Sequence, residues 1–198
     1  MLEDTLLRVR EGGSKSLLGY VMGGVRDDWA DLVRAMVDGG ADAVEIGIPF
    51  SDPMLDGEVI QHASLAALRN GARLERILDE LPDTSAPLVA MTYANHLASR
   101  GALTYLRAIA AAGISGSIVA DLPFEESSSY VADAHTAGVA PVLMVAPRHH
   151  RRRRTVSRRP AAGSSTPWAR WRRPVPRTTR RRTGGPSRSS CDRPRGCP

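Results

Sequence analysis

Cysteine is nearly missing from this 198-residue chain: both copies, Cys191 and Cys197, lie at its far C-terminal end. Residues 1–147 therefore offer neither a disulfide framework nor a thiolate metal site. No apolar run reaches the roughly 18 residues of a membrane-spanning helix. Met1-Leu2-Glu3-Asp4 lacks the basic segment and apolar core of a secretory signal, so a cytoplasmic protein without membrane attachment is expected. Acidic residues are also lacking in one place, because after Pro147 only Asp192 remains.

That last absence explains the charge. The chain as a whole carries +6, which would suggest a basic protein that binds nucleic acid. Residues 1–147, however, hold 10 basic against 20 acidic side chains, whereas residues 148–198 hold 17 against one. Two unlike sequences, at −10 and +16, have been averaged.

The acidic part alternates two periodicities. Short apolar runs at Leu17–Met22, Ala43–Ile48, Leu88–Thr92, Ser117–Ala120 and Pro141–Ala146 lack a polar face, as in strands buried on both sides. Between them, helical spacing recurs at Trp29–Val37, Val59–Leu68, Leu74–Leu81, Ala102–Ala112 and Glu126–Ala137. Gly39-Gly40, Gly113 and Gly138 follow three of these helices, where a left-handed cap favours glycine. Strict alternation predicts a parallel sheet covered by helices. An open doubly wound sheet and a (β/α)8 barrel both satisfy it. The first βα turn, Gly23-Gly24-Val25-Arg26-Asp27-Asp28, is not the G-x-G-x-x-G of a dinucleotide fold. Polar residues gather instead after several strands, which favours the barrel.

The densest group follows the second strand. Glu45 is a carboxylate inside an apolar strand, which requires either a structural partner or a role for a partly desolvated acid that exchanges protons near neutrality. Asp56 lies in a loop shaped by Pro49, Pro53 and Gly57; it is a candidate second catalytic group or an N-cap for the helix from Val59. Asp52 fits a turn. Tyr93 and Asn95 end the third strand, and Asp121 ends the fourth, where it could cap the helix that follows. His62, His96 and His135 have no metal-ligand spacing, and no nucleophile elbow, P-loop or zinc-protease motif occurs.

The run Gly40-Ala41-Asp42-Ala43-Val44-Glu45-Ile46-Gly47-Ile48-Pro49-Phe50-Ser51-Asp52-Pro53, with Asp56-Gly57 and Ile60-Gln61, resembles the alpha subunit of tryptophan synthase. Met91-Thr92-Tyr93-Ala94-Asn95, Asp121-Leu122-Pro123-Phe124-Glu125-Glu126 and Val145-Ala146-Pro147 agree with it. The likeness covers roughly residues 15–147. It implies a TIM barrel that cleaves indole-3-glycerol phosphate to indole and glyceraldehyde 3-phosphate in tryptophan biosynthesis, without a metal or organic cofactor. It also implies Glu45 as the acid–base acting at the indole carbon and the glycerol hydroxyl. Asp56 would accept the indole N–H, and Met91, Ile118 and Ala120 would line the indole pocket. Residues 52–57 and 93–101 would face a beta subunit in an alpha2-beta2 heterotetramer. Where the family reads T-A-G-D-P after its first strand, this chain has Met22-Gly23-Gly24-Val25-Arg26, although Tyr20 can still reach the pocket.

Residues 148–198 form a second region without Leu, Ile, Phe, Met or Tyr. Read at face value they are a disordered basic tail, able to hold phosphate backbones and to stack Trp168 and Trp171 on bases. A second origin fits better. One choice of codons for residues 163–172, read two bases on, gives F-V-Y-A-V-G-T-M-A, which resembles the family's sixth strand, G-F-V-Y-x-V-S-x-M. We therefore expect an out-of-frame tail without specific nucleic-acid binding. A barrel takes about 250 residues and eight strands, so the chain as written is expected to show no lyase turnover. A nonfunctional fragment of the gene and a basic-tail protein are the alternatives.

Overall fold

The computed structural model describes residues 2–144. The elements run α1 (Leu2–Glu11), β1 (Leu18–Met22), α2 (Trp29–Asp38), β2 (Ala43–Gly47), α3 (Glu58–Arg69), α4 (Leu74–Asp79), β3 (Leu88–Thr92), α5 (Ala94–Arg100), α6 (Ala102–Ala111), β4 (Ile114–Val119), a 3-10 turn (Phe124–Glu126), α7 (Ser128–Ala137) and β5 (Ala140–Val142). All four strand pairings are parallel, in the order β1-β2-β3-β4-β5. A doubly wound sheet reverses its strand order at a switch point. Here each strand lies beside the next in sequence, which is the arc of a barrel.

The two faces of the arc carry different cores. Outward residues such as Val44, Ile46, Leu88, Ala90 and Val119 pack with Trp29, Val33, Ile77, Leu106 and Ile109 of the helices. Inward residues Ala43, Val89, Ile118 and Val142 form a separate cluster with Leu2 and Leu6 of α1. Helix α1 thus plugs the N-terminal mouth of the arc. Gly116 admits it, since a Cβ there would stand 2.5 Å from the Leu2 Cδ2.

Several boundaries differ from the sequence expectation. β4 starts at Ile114, three residues before Ser117, because Gly116 fits the ladder while its missing side chain interrupts the apolar run. β5 ends at Val142; residues 145 and 146 of the expected strand, like the tail with Trp168 and Trp171, lie outside the described residues. Gly40 (φ 95°) takes the left-handed position after α2, whereas Gly39 (φ −76°) stays right-handed. Helices α1 and α5 have no counterpart among the helices expected from the sequence. No helix among the described residues is long and apolar enough to cross a membrane.

Candidate active site

Glu45 sits in the middle tier of the inner face. In register it stands between Tyr20 of β1 and Val89 of β3. Alternation along β2 puts Ala43 and Gly47 on its face. One tier towards the C-terminal mouth, Gly47 is in register with Met91, and Met91 with Ile118. Glu45 is half-buried, and among the described residues it makes no hydrogen bond or ion pair. Burial raises its carboxyl pKa above the ordinary value. The structural partner that would explain an acid inside a strand is not found.

Asp56 reaches the same mouth from the β2–α3 loop. It does not cap α3, whose N-cap is Gly57 and which has no side-chain cap. Instead its Oδ2 accepts the Tyr93 hydroxyl proton at 3.0 Å, while that hydroxyl oxygen accepts the Leu55 N–H at 3.2 Å. Burial raises the Asp56 pKa, and the bond from Tyr93 lowers it in part. Burial and the neighbouring carboxylate push the Tyr93 phenol up to about 12, so it remains a donor at neutral pH.

The loop is clamped from two more sides. Phe50 stacks on Tyr93 with ring centroids 5.1 Å apart, and His96 meets Phe50 edge-on at 5.7 Å. The His96 Nε2 lies 3.3 Å from the Pro49 carbonyl, and burial depresses that imidazole's pKa. Ser64 of α3 accepts the Phe50 N–H at 2.9 Å and donates to the Phe50 carbonyl at 2.8 Å. Ser64 is not among the candidate residues of the sequence. Its signal is position: it occupies the inward stripe of α3 with Ile60, Ala63 and Ala67, where a buried hydroxyl needs a partner.

Ile118 is buried, Met91 half-buried, and Ala120 lies just beyond β4, its N–H bonded to the Thr92 carbonyl at 2.9 Å. Asp121 does not cap the helix after it; its Oδ1 accepts the Ala94 N–H at 2.7 Å, securing the start of α5. Asn95 and His62 are exposed. No group of three or more His, Cys, Asp or Glu among the described residues could hold a metal ion.

Two carboxylates, one in the middle tier of a parallel arc and one at its C-terminal mouth, suit proton transfer, but many barrels share that plan. The family model described as "Tryptophan synthase alpha chain" matches residues 6–163. The chain belongs to the tryptophan synthase alpha chain family. The match continues beyond Pro147, where the quoted motifs end. The alpha chain of Burkholderia mallei is 37% identical over 153 residues, covering 74% of this chain and 56% of that one. The alpha chain of Acaryochloris marina is 37% identical over 152 residues, covering 74% and 57%. The chain thus spans little more than half the length of these relatives. Among solved structures, the alpha subunit from Legionella pneumophila superposes with TM-score 0.72 at 29% identity, covering 79% of this chain and 62% of that one. The a2b2 complex from Pyrococcus furiosus gives 0.64 at 35%, covering 70% and 61%. Membership of this family makes the fold a portion of a TIM barrel.

Proposed function

We propose that this inner-face site performs the proton transfers of the aldol-type cleavage of indole-3-glycerol phosphate to indole and glyceraldehyde 3-phosphate. The observation that carries the proposal is the half-buried Glu45, which has no hydrogen bond or ion pair among the described residues and whose pKa burial raises, as suits an acid that must both give and take a proton. Glu45 protonates the indole ring at carbon and then accepts the proton of the side-chain hydroxyl. Asp56 keeps Oδ2 on Tyr93 and turns Oδ1 to the indole N–H, stabilising positive charge on the ring. Met91, Ile118 and Ala120 supply the apolar surface for that ring. The steps described need no cofactor.

The partner is a tryptophan synthase beta subunit, in an alpha2-beta2 assembly within the cytoplasm. Met54, Leu55 and Val59, which are 77%, 54% and 80% exposed beside Asp56, form its docking rim. In this reading residues 1–147 are the barrel portion and residues 148–198 contribute nothing to the site.

Because the chain spans 56% of the Burkholderia relative, turnover is tested by grafting residues 2–144 into a full-length relative and measuring indole release. Glu45→Gln should lower kcat by about a hundredfold or more. Full turnover in that variant would overturn the proposal.

A further inference from the structure

A third polar group faces the two carboxylates. Tyr20 stands opposite Glu45 in the β1–β2 register. Its ring lies along the strand so that its hydroxyl end covers Gly47, one tier beyond Glu45 on the same face. A Cβ on Gly47 would collide with the Tyr20 hydroxyl and lie 2.9 Å from its Cζ. Glycine is what gives the phenol its seat. Asp56 and Glu45 both act electrostatically on this hydroxyl, raising its pKa. Among the described residues it has no hydrogen-bond partner, although the ring is largely covered. A half-buried phenol whose O–H has no partner among the described residues is free to donate it to a ligand on this face.

We propose that Tyr20 contacts the substrate, donating its O–H to the oxygen of the same hydroxyl from which Glu45 takes a proton. The assignment rests on the lyase reading above and adds a specificity for the hydroxylated side chain. Once the ring is protonated at carbon, the substrate O–H bond breaks and its proton passes to the Glu45 carboxylate. The freed electron pair forms the aldehyde C=O. The bond between that carbon and the ring breaks, and its pair neutralises the iminium nitrogen. Tyr20 neither gains nor loses a proton. Its hydrogen bond steadies the negative charge that grows on oxygen while the proton leaves. Burial, with Asp56 and Glu45 nearby, raises the phenol's pKa, so it stays a neutral donor where the carboxylates titrate.

The test uses the 198-residue chain and two probes without phosphate, indolylglycerol and 3-propylindole, so that only the ring and hydroxyl contacts are read. Tyr20→Phe should weaken indolylglycerol about tenfold and leave 3-propylindole unchanged, as expected for one hydrogen bond lost from a covered site. Gly47→Ala, which unseats the phenol, should give the same selective loss. In the unsubstituted chain, the Tyr20 Cζ resonance should shift with indolylglycerol but not with 3-propylindole. Unchanged indolylglycerol affinity in Tyr20→Phe, equal losses for both probes, or no selective Cζ shift would overturn the Tyr20 assignment alone. Failure of both probes to bind the unsubstituted chain would overturn the lyase reading together with it.

Discussion

Tyr93 donates its hydroxyl proton to Asp56 Oδ2 across 3.0 Å, joining the end of β3 to the loop after β2. The same oxygen accepts the Leu55 N–H, so one phenol fixes both the backbone and the carboxylate of that loop. Tyr93→Phe keeps the ring and its stack on Phe50 but removes both bonds. Asp56 should then titrate at higher pH, because the bond that lowers its pKa is lost while burial stays. Carboxyl NMR reads this directly; an unmoved Asp56 titration would show that the bond is not made in solution.

Glu45 gives a pH dependence of definite sign. Its folded pKa lies above the ordinary 4.5. Below the ordinary value both folded and unfolded states hold the proton, and stability is unaffected. As pH rises from there through the folded pKa, only the folded state still holds it, so stability falls and stays lower above that window. Glu45→Gln should therefore raise Tm at pH 7 and leave it unchanged near pH 3. Thermal melts at the two pH values decide it; a Tm gain of equal size at both would contradict the burial argument.

Ser64 holds Phe50 with two hydrogen bonds from a position only 1% exposed. Ser64→Ala leaves a backbone N–H and a carbonyl short of partners, at a cost of about 1–3 kcal/mol. Urea unfolding should show that loss, and protection of the Phe50 amide in hydrogen exchange should fall with it. A fully protected Phe50 amide would mean that another group has taken over the bond.

The rim of Met54, Leu55 and Val59 separates association from folding. Met54→Gln together with Val59→Gln should leave the unfolding free energy within about 0.5 kcal/mol of the unsubstituted chain, as exposed substitutions do. Affinity for a beta subunit should fall at least tenfold in calorimetry. Undiminished affinity would place the docking surface elsewhere.

Local order was written into the chain. The alternation of apolar runs and helical stripes places β1, β2 and β3 to within one residue at both ends, because burial on two faces selects side chains directly. β4 was placed late because Gly116, which makes room for Leu2, removes the apolar signal at its first half. Helix α1 was passed over because it buries only Leu2 and Leu6, one turn apart, against a notch made by a distant strand. Helix α5 begins where Asp121, twenty-seven residues away, takes the Ala94 N–H. Its start is set across space, and no nearby residue announces it.

The candidate site divides in the same way. Glu45 inside an apolar strand and Asp56 in a loop braced by prolines are visible as residues, since a charge among apolar neighbours stands out in one dimension. The sequence by itself determined the alternation of strands and helices apart from α1 and α5, the family likeness and the identity of the two carboxylates. Only the tertiary structure decided that Glu45 lacks a partner among the described residues, that Asp56 is held by Tyr93 rather than capping a helix, and that the Tyr20 phenol rests over Gly47. The physical reason is that burial patterns and charge are properties of single positions along a chain. Desolvation and hydrogen bonding are properties of pairs, and here the pairs are made by strands and loops that meet only once the sheet curves.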